Sequence, residues 1–156
     1  MNDNLKRKLI MFAVGYCLYI TIEVTWRCYS FPLMGLVGGC IMLILDAINN
    51  KISWDVELPV YGLVGSAAAT GFELVIGLAS KFLGLKQMWD YSTMPLNFMG
   101  VICAPFSLIW FFLCILGTFL ADSINYYVFE EEPVPYYKLF GKKIIQFREK
   151  HCKLSA

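Results

Sequence analysis

Histidine is nearly absent: the single one, His151, stands in a basic tail and is assigned no catalytic role. The motifs that announce common enzymes are missing too. There is no GxxxxGK[ST] phosphate loop, no HExxH helix and no GxSxG nucleophile turn. An ATPase engine would have to come from another chain. The cysteines, Cys17, Cys28, Cys40, Cys103, Cys114 and Cys152, form no CxxC pair, and most lie in apolar runs. They read as small core residues rather than metal or redox ligands, so no cofactor and no metal are expected. Charge is scarce as well. Charged residues are 16% of the chain and the net charge is +1, which gives no broad surface for nucleic acid.

Apolar residues are abundant at 58%. A soluble domain carries about 45–50%. A chain of 156 residues cannot bury that excess, because a small globule has too much surface for its volume. A bilayer supplies the missing apolar solvent. Four runs hold the surplus: Leu9 to about Tyr29, Phe31 to about Ile48, Leu58 to about Leu85, and Leu96 to about Val128. Each reaches roughly the 20 residues that a helix needs to cross the hydrocarbon layer. The runs lack the alternation of barrel strands, so helices are expected. The expectation is an all-α, four-transmembrane-helix bundle over residues 1–128, followed by a tail over 129–156. The first run is expected to be retained, since it is long, Glu23 interrupts it and no small-x-small cleavage site follows.

Ten of the thirteen Lys and Arg lie before the first run, near Lys51, or in the tail, while Arg27, Lys81 and Lys86 occupy the other two loops. This bias predicts a multi-pass protein of the cell membrane with both termini cytoplasmic. The two halves also resemble each other. Each has a Glu-bearing run (Ile22-Glu23-Val24, Phe72-Glu73-Leu74) followed by a run opening with Met-Gly (Met34-Gly35, Met99-Gly100). Both halves point the same way, which would make a parallel repeat of helix pairs. Gly35-x-x-x-Gly39 and the glycines Gly62, Gly65, Gly71, Gly77 and Gly84 suit close helix packing and leave a homo-oligomer open. Pro105 is expected to kink the fourth run.

Glu23 lies fourteen residues after Leu9 and Glu73 fourteen after Pro59, about 21 Å up from the inner surface at 1.5 Å per residue. A carboxylate at that depth is costly and faces a partner or a cavity. Two readings stay open: a proton relay, cation site or substrate anchor, and a pair of polar locks between helices. Arg27 sits one turn above Glu23, within reach of it or of Asp90. The outer loop, Met88-Trp-Asp-Tyr-Ser-Thr-Met-Pro-Leu-Asn-Phe-Met-Gly100, is expected to fold back as a lid. Trp89 and Tyr91 would anchor it at the interface, Asn97 would belong to it, Asp90 would turn inward to Arg27, and Pro95 would start the fourth helix. In the tail, Glu130-Glu131-Glu132-Pro133-Val134-Pro135 breaks the chain. Tyr137, Phe140, Ile144 and Phe147 then recur at helical spacing among Lys138, Lys142, Lys143, Arg148 and Lys150. That predicts an amphipathic helix on an anionic leaflet, or on a partner protein such as an ATPase subunit.

The segment Gly71-Phe72-Glu73, Trp89-Asp90-Tyr91-Ser92, Pro95 to Ile102 and Phe106 to Trp110 resembles the CmpB-like family described as putative ABC-transporter type IV, with which transmembrane protein 229-like proteins are associated. The resemblance implies a multispan membrane protein with a transport label. The leading expectation is a transport or permease-type component with Glu23, Arg27, Glu73 and Asp90 lining an outward-facing polar pocket. The alternatives are a structural or regulatory scaffold that binds a partner through its tail, and a membrane enzyme acting on a lipid-like substrate with these carboxylates as acid and base.

Overall fold

The computed structural model describes residues 3–51, 56–131 and 133–149. Glu132, Lys150, His151 and Cys152 lie outside the described residues. Four helices dominate: α1 (Asp3–Arg27), α2 (Pro32–Lys51), α3 (Leu58–Phe82) and α4 (Ala104–Tyr127). Two small antiparallel hairpins complete the described residues, β1 (Asn97–Phe98) with β2 (Ile102–Cys103), and β3 (Tyr136–Leu139) with β4 (Lys142–Gln146). The fold is therefore mostly helical rather than all-α.

Three helices, α1, α3 and α4, are long and apolar enough to cross a membrane. The apolar stretch of α2, Pro32–Ile48, is shorter. Leu63, Val75, Leu108, Phe112 and Leu116 point outward, an arrangement that suits lipid and would be costly in water.

The helix ends follow local chemistry. The first helix starts at Asp3, ahead of the apolar run, with Asp3 in its first turn and Arg27 in its last, both favourable to the helix dipole. The third stops at Phe82 rather than Leu85. Gly84 takes φ +65° and the Leu85 N–H returns to the Ser80 carbonyl at 2.8 Å, which closes the last turn. The fourth starts at Ala104 rather than Leu96. Pro105 sits in its first turn, where its missing N–H costs nothing, so it opens this helix instead of kinking it.

The core runs along α2. Val37, Ile41, Leu45 and Ile48 pack against Tyr61 and Ala69 of α3 and Cys114 of α4, while Met42 meets Met11 of α1 and Ala121 of α4. Close approach of α1 and α2 depends on glycine. A Cβ at Gly15 would lie 2.5 Å from the Gly38 carbonyl oxygen. Gly35 and Gly39 receive the rings of Tyr16 and Phe12, so the Gly-x-x-x-Gly face is used inside the chain.

The Met-Gly pairs differ in structure: Met34-Gly35 lies within α2, whereas Met99-Gly100 forms the turn between β1 and β2. The expected tail helix is a hairpin. Pro133 and Pro135 stop any continuation of helix, and Phe140 and Gly141 adopt φ +51° and +73°. Two central residues with positive φ make the tight turn that matches strand twist. Tyr137 faces the bundle and is fully buried.

Candidate functional site

Glu73 lies on an apolar helix, yet it is 3% exposed. Its Oε1 accepts two hydrogen bonds, from Trp110 Nε1–H of α4 at 3.0 Å and from the Tyr91 hydroxyl of the loop between α3 and α4 at 3.2 Å. Each donor is held by a stacked ring: Trp110 on Tyr19 at 5.4 Å, and Tyr91 on Phe106 at 4.6 Å. Burial raises the Tyr91 hydroxyl pKa, and the charge of Glu73 raises it further, so Tyr91 stays a neutral donor. Glu73 Oε2 is buried and has no hydrogen-bond partner among the described residues.

Glu23 and Glu73 lie within Coulombic reach of each other. Glu23 is fully engaged. Arg27 donates to its Oε1 at 2.5 Å, one turn away on α1, and Ser30 donates to its Oε2. The Arg27 guanidinium also donates to the Met88 carbonyl at 2.9 Å and lies over the Tyr29 ring at 4.8 Å. Its Nε is buried without a hydrogen-bond partner among the described residues. The structure thus brings Glu23, Arg27, Glu73 and Tyr91 to one end of the bundle.

Asp90 is not among them. It is exposed, and its Oδ1 accepts the Ser92 N–H at 2.9 Å instead of meeting Arg27. That local turn lowers the Asp90 pKa. The reason is geometric: an Asp side chain closes readily on the backbone two residues on, and doing so aims it away from the helices. Trp89 donates to the Val101 carbonyl at 2.8 Å, and Asn97 ties the loop to itself through Ser92, Met94 and Gly100. Pro95 lies within the loop rather than at a helix start.

The loop is fixed to α3 at three points four residues apart, a spacing that puts them on one helix face. Glu73 holds Tyr91, Gly77 receives Val101, and Lys81 donates to the Met99 carbonyl. Any Cβ at Gly77 would collide with the Val101 side chain, which is 1% exposed.

The family model described as putative ABC-transporter type IV matches residues 9–141. The chain belongs to that family. No curated protein and no solved structure matches it. The family's matched segment contains the whole Glu23–Glu73 cluster and nearly all of a second one at the opposite end of the bundle. There Arg7 pairs with Asp46 at 3.2 Å and with Glu131 at 3.1 Å, and Asn125 donates to Asp46 at 2.7 Å. Asp46 and Asn125 are buried. Beside them Tyr137 donates to Asp122, with Phe119 edge-on at 4.4 Å. Burial raises the Tyr137 hydroxyl pKa, with Asp122 adding to the effect, so this contact too keeps a neutral donor. Sequence reasoning assigned no role to Asp46, Asp122, Asn125 or Trp110. The signal was present: two carboxylates and an amide inside apolar runs, each needing a partner.

Proposed function

We propose that this chain is a four-span component of a membrane transport system, with both ends cytoplasmic and Glu73 as the group that meets the transported species. The observation that carries the reading is the Glu73 carboxyl, buried on an apolar helix with one oxygen held by two donors and the other without a partner among the described residues. A carboxylate at such depth costs about 2.5–3.5 kcal/mol on insertion scales, a burden that a purely apolar lock would avoid. A cation or a proton is the species such a group receives. The loop from Trp89 to Asn97 acts as the outer lid, and opening it requires Tyr91 to leave Glu73. Arg27 neutralises Glu23 and leaves Glu73 as the reactive carboxyl. At the other end Arg7, Asp46 and Asn125 hold α1, α2 and α4 together as an inner closure. The family description supports transport. A partner, such as an ATPase subunit, would meet the inner face. The helix α2 has 20 residues, about 30 Å at 1.5 Å per residue, which supports a fourth crossing.

One observation favours a second reading. An apolar groove of about 280 Å³ opens sideways between α1, α2 and α4, with Leu18 and Leu116 on its walls and Tyr19 and Trp110 among its lining. It suits the tail of a lipid-like substrate, with the polar cluster above it.

The test is chemical modification of the full chain in sealed proteoliposomes. A water-soluble carbodiimide applied on the loop side should modify Glu73, with added cations protecting it. Modification only after detergent solubilisation would contradict an outward-opening site and leave Glu73 as a structural lock.

A further inference from the structure

The tail hairpin carries an exposed strand, β4, and an exposed tip. Tyr137 is buried, while its neighbours Tyr136 and Lys138 are part-buried, with a register shift between Tyr137 and Lys138. Lys138 stands opposite Lys143 in the ladder, and their ammonium groups lie 5.8 Å and 3.9 Å from the centre of the Tyr136 ring. At the tip Phe140 is 89% exposed, with Lys142 beside it and Ile144 and Ile145 exposed behind it. Phe140 also has φ +51°, a conformation that disfavours a bulky residue and directs the ring away from the strands.

The height of the tip is fixed by α3. The Gly141 N–H donates to Glu57 Oε1 at 2.7 Å, and Lys138 bridges to Glu57 through the backbone. Glu57 is the N-cap of α3, next to the first residue of an apolar helix. Phe140 therefore lies level with the start of an apolar helix; at a membrane boundary an aromatic ring settles and lysines meet headgroups. At the same end Lys6 and Lys8 are exposed on α1.

We infer that the hairpin of residues 136–146 is a lipid-binding device: Phe140 inserts at the bilayer interface, while the exposed Lys142 and Lys143 hold the phosphate of an anionic lipid. Insertion of the tip would tie the position of β3, and through Tyr137 and Asp122 the inner end of α4, to the lipid composition of that leaflet. The inference stands apart from any transported species.

The test uses the full chain in nanodiscs of equimolar anionic and zwitterionic lipid, with the photoreactive residue p-benzoylphenylalanine placed at Phe140. Illumination should give lipid adducts enriched in the anionic species. The pair Lys142→Gln and Lys143→Gln, both on exposed side chains, should reduce that enrichment by roughly fivefold per lysine. High salt should reduce it as well. Equal labelling of the two lipids, the absence of lipid adducts, an enrichment untouched by the glutamines, or adducts formed only with a protein in native membranes would each overturn the inference. None of these outcomes depends on whether Glu73 binds anything.

Discussion

Tyr91→Phe keeps the ring stacked on Phe106 and deletes one atom, the oxygen that donates to Glu73 at 3.2 Å. The carboxyl is not stripped, because Trp110 still donates to the same oxygen at 3.0 Å. Hydrogen bonds to charged groups contribute about 1.5–3 kcal/mol in soluble proteins. Side-chain hydrogen bonds between membrane helices average about 0.6 kcal/mol and reach about 1.7. The Tyr91 contact is longer than the usual 2.7–2.8 Å or so of an O–H···O bond, which places it below the charged range. A loss of about 1 kcal/mol is expected for Tyr91→Phe. The pairwise part is isolated by a double-mutant cycle with Glu73→Leu, an apolar replacement suited to the site. Reversible unfolding in bicelles or mixed micelles reads the four stabilities. A coupling near 1 kcal/mol is expected. Additivity within about 0.3 kcal/mol would refute the loop-to-α3 contact as a working interaction.

Gly77→Ala should cost about 1–3 kcal/mol by overpacking and should open residues 83–96 to protease, because the new methyl displaces Val101. Wild-type protection of that loop in the variant would contradict the fit. Tyr137→Phe leaves the buried Asp122 without this donor, so a loss of about 1–3 kcal/mol is expected, read as a lower melting temperature with faster cleavage of the tail. Asp90→Asn should leave the melting temperature unchanged at neutral pH, since Asp90 is exposed and turned to its own backbone. Its depressed pKa makes the Ser92 contact favourable above the ordinary carboxylate pKa, and the contribution fades as pH falls through the lowered folded value. A large loss from Asp90→Asn at neutral pH would point to an inward partner for Asp90. Gly38→Leu should disrupt α1 against α2, because a Cβ there already meets Tyr19 Cβ, and intramolecular crosslinking between the two helices would report the failure.

The apolar runs made the helices legible, and depth counting brought Glu23 and Glu73 to the same end of the bundle. Helical spacing put Arg27 within reach of Glu23, with Asp90 or water as rivals, and the structure pairs it with Glu23. The two hairpins were not legible, for a shared reason. Their turns are Met99-Gly100 and Phe140-Gly141, where a bulky residue takes positive φ at a cost of about 1–2 kcal/mol. The usual turn signal is Asn-Gly or Asp-Gly. Tertiary contacts hold both turns in place, Val101 on Gly77 in one and Tyr137 on Asp122 in the other, and such contacts carry no local signature. The same limit explains Asp90: inward and outward orientations share one sequence. The stripe Glu73, Gly77 and Lys81 was readable as one helix face, but its role appears only once the loop lies on it.

Infrared difference spectroscopy on sealed proteoliposomes tests the central claim most directly, because it watches the Glu73 carboxyl itself. A carboxyl band that is absent from Glu73→Gln should respond when pH is changed, or D₂O is introduced, on the loop side alone. Tyr91→Phe, by loosening the lid, should speed that response. A Glu73 band indifferent to the solution on either side would contradict the account and leave a sealed structural carboxyl.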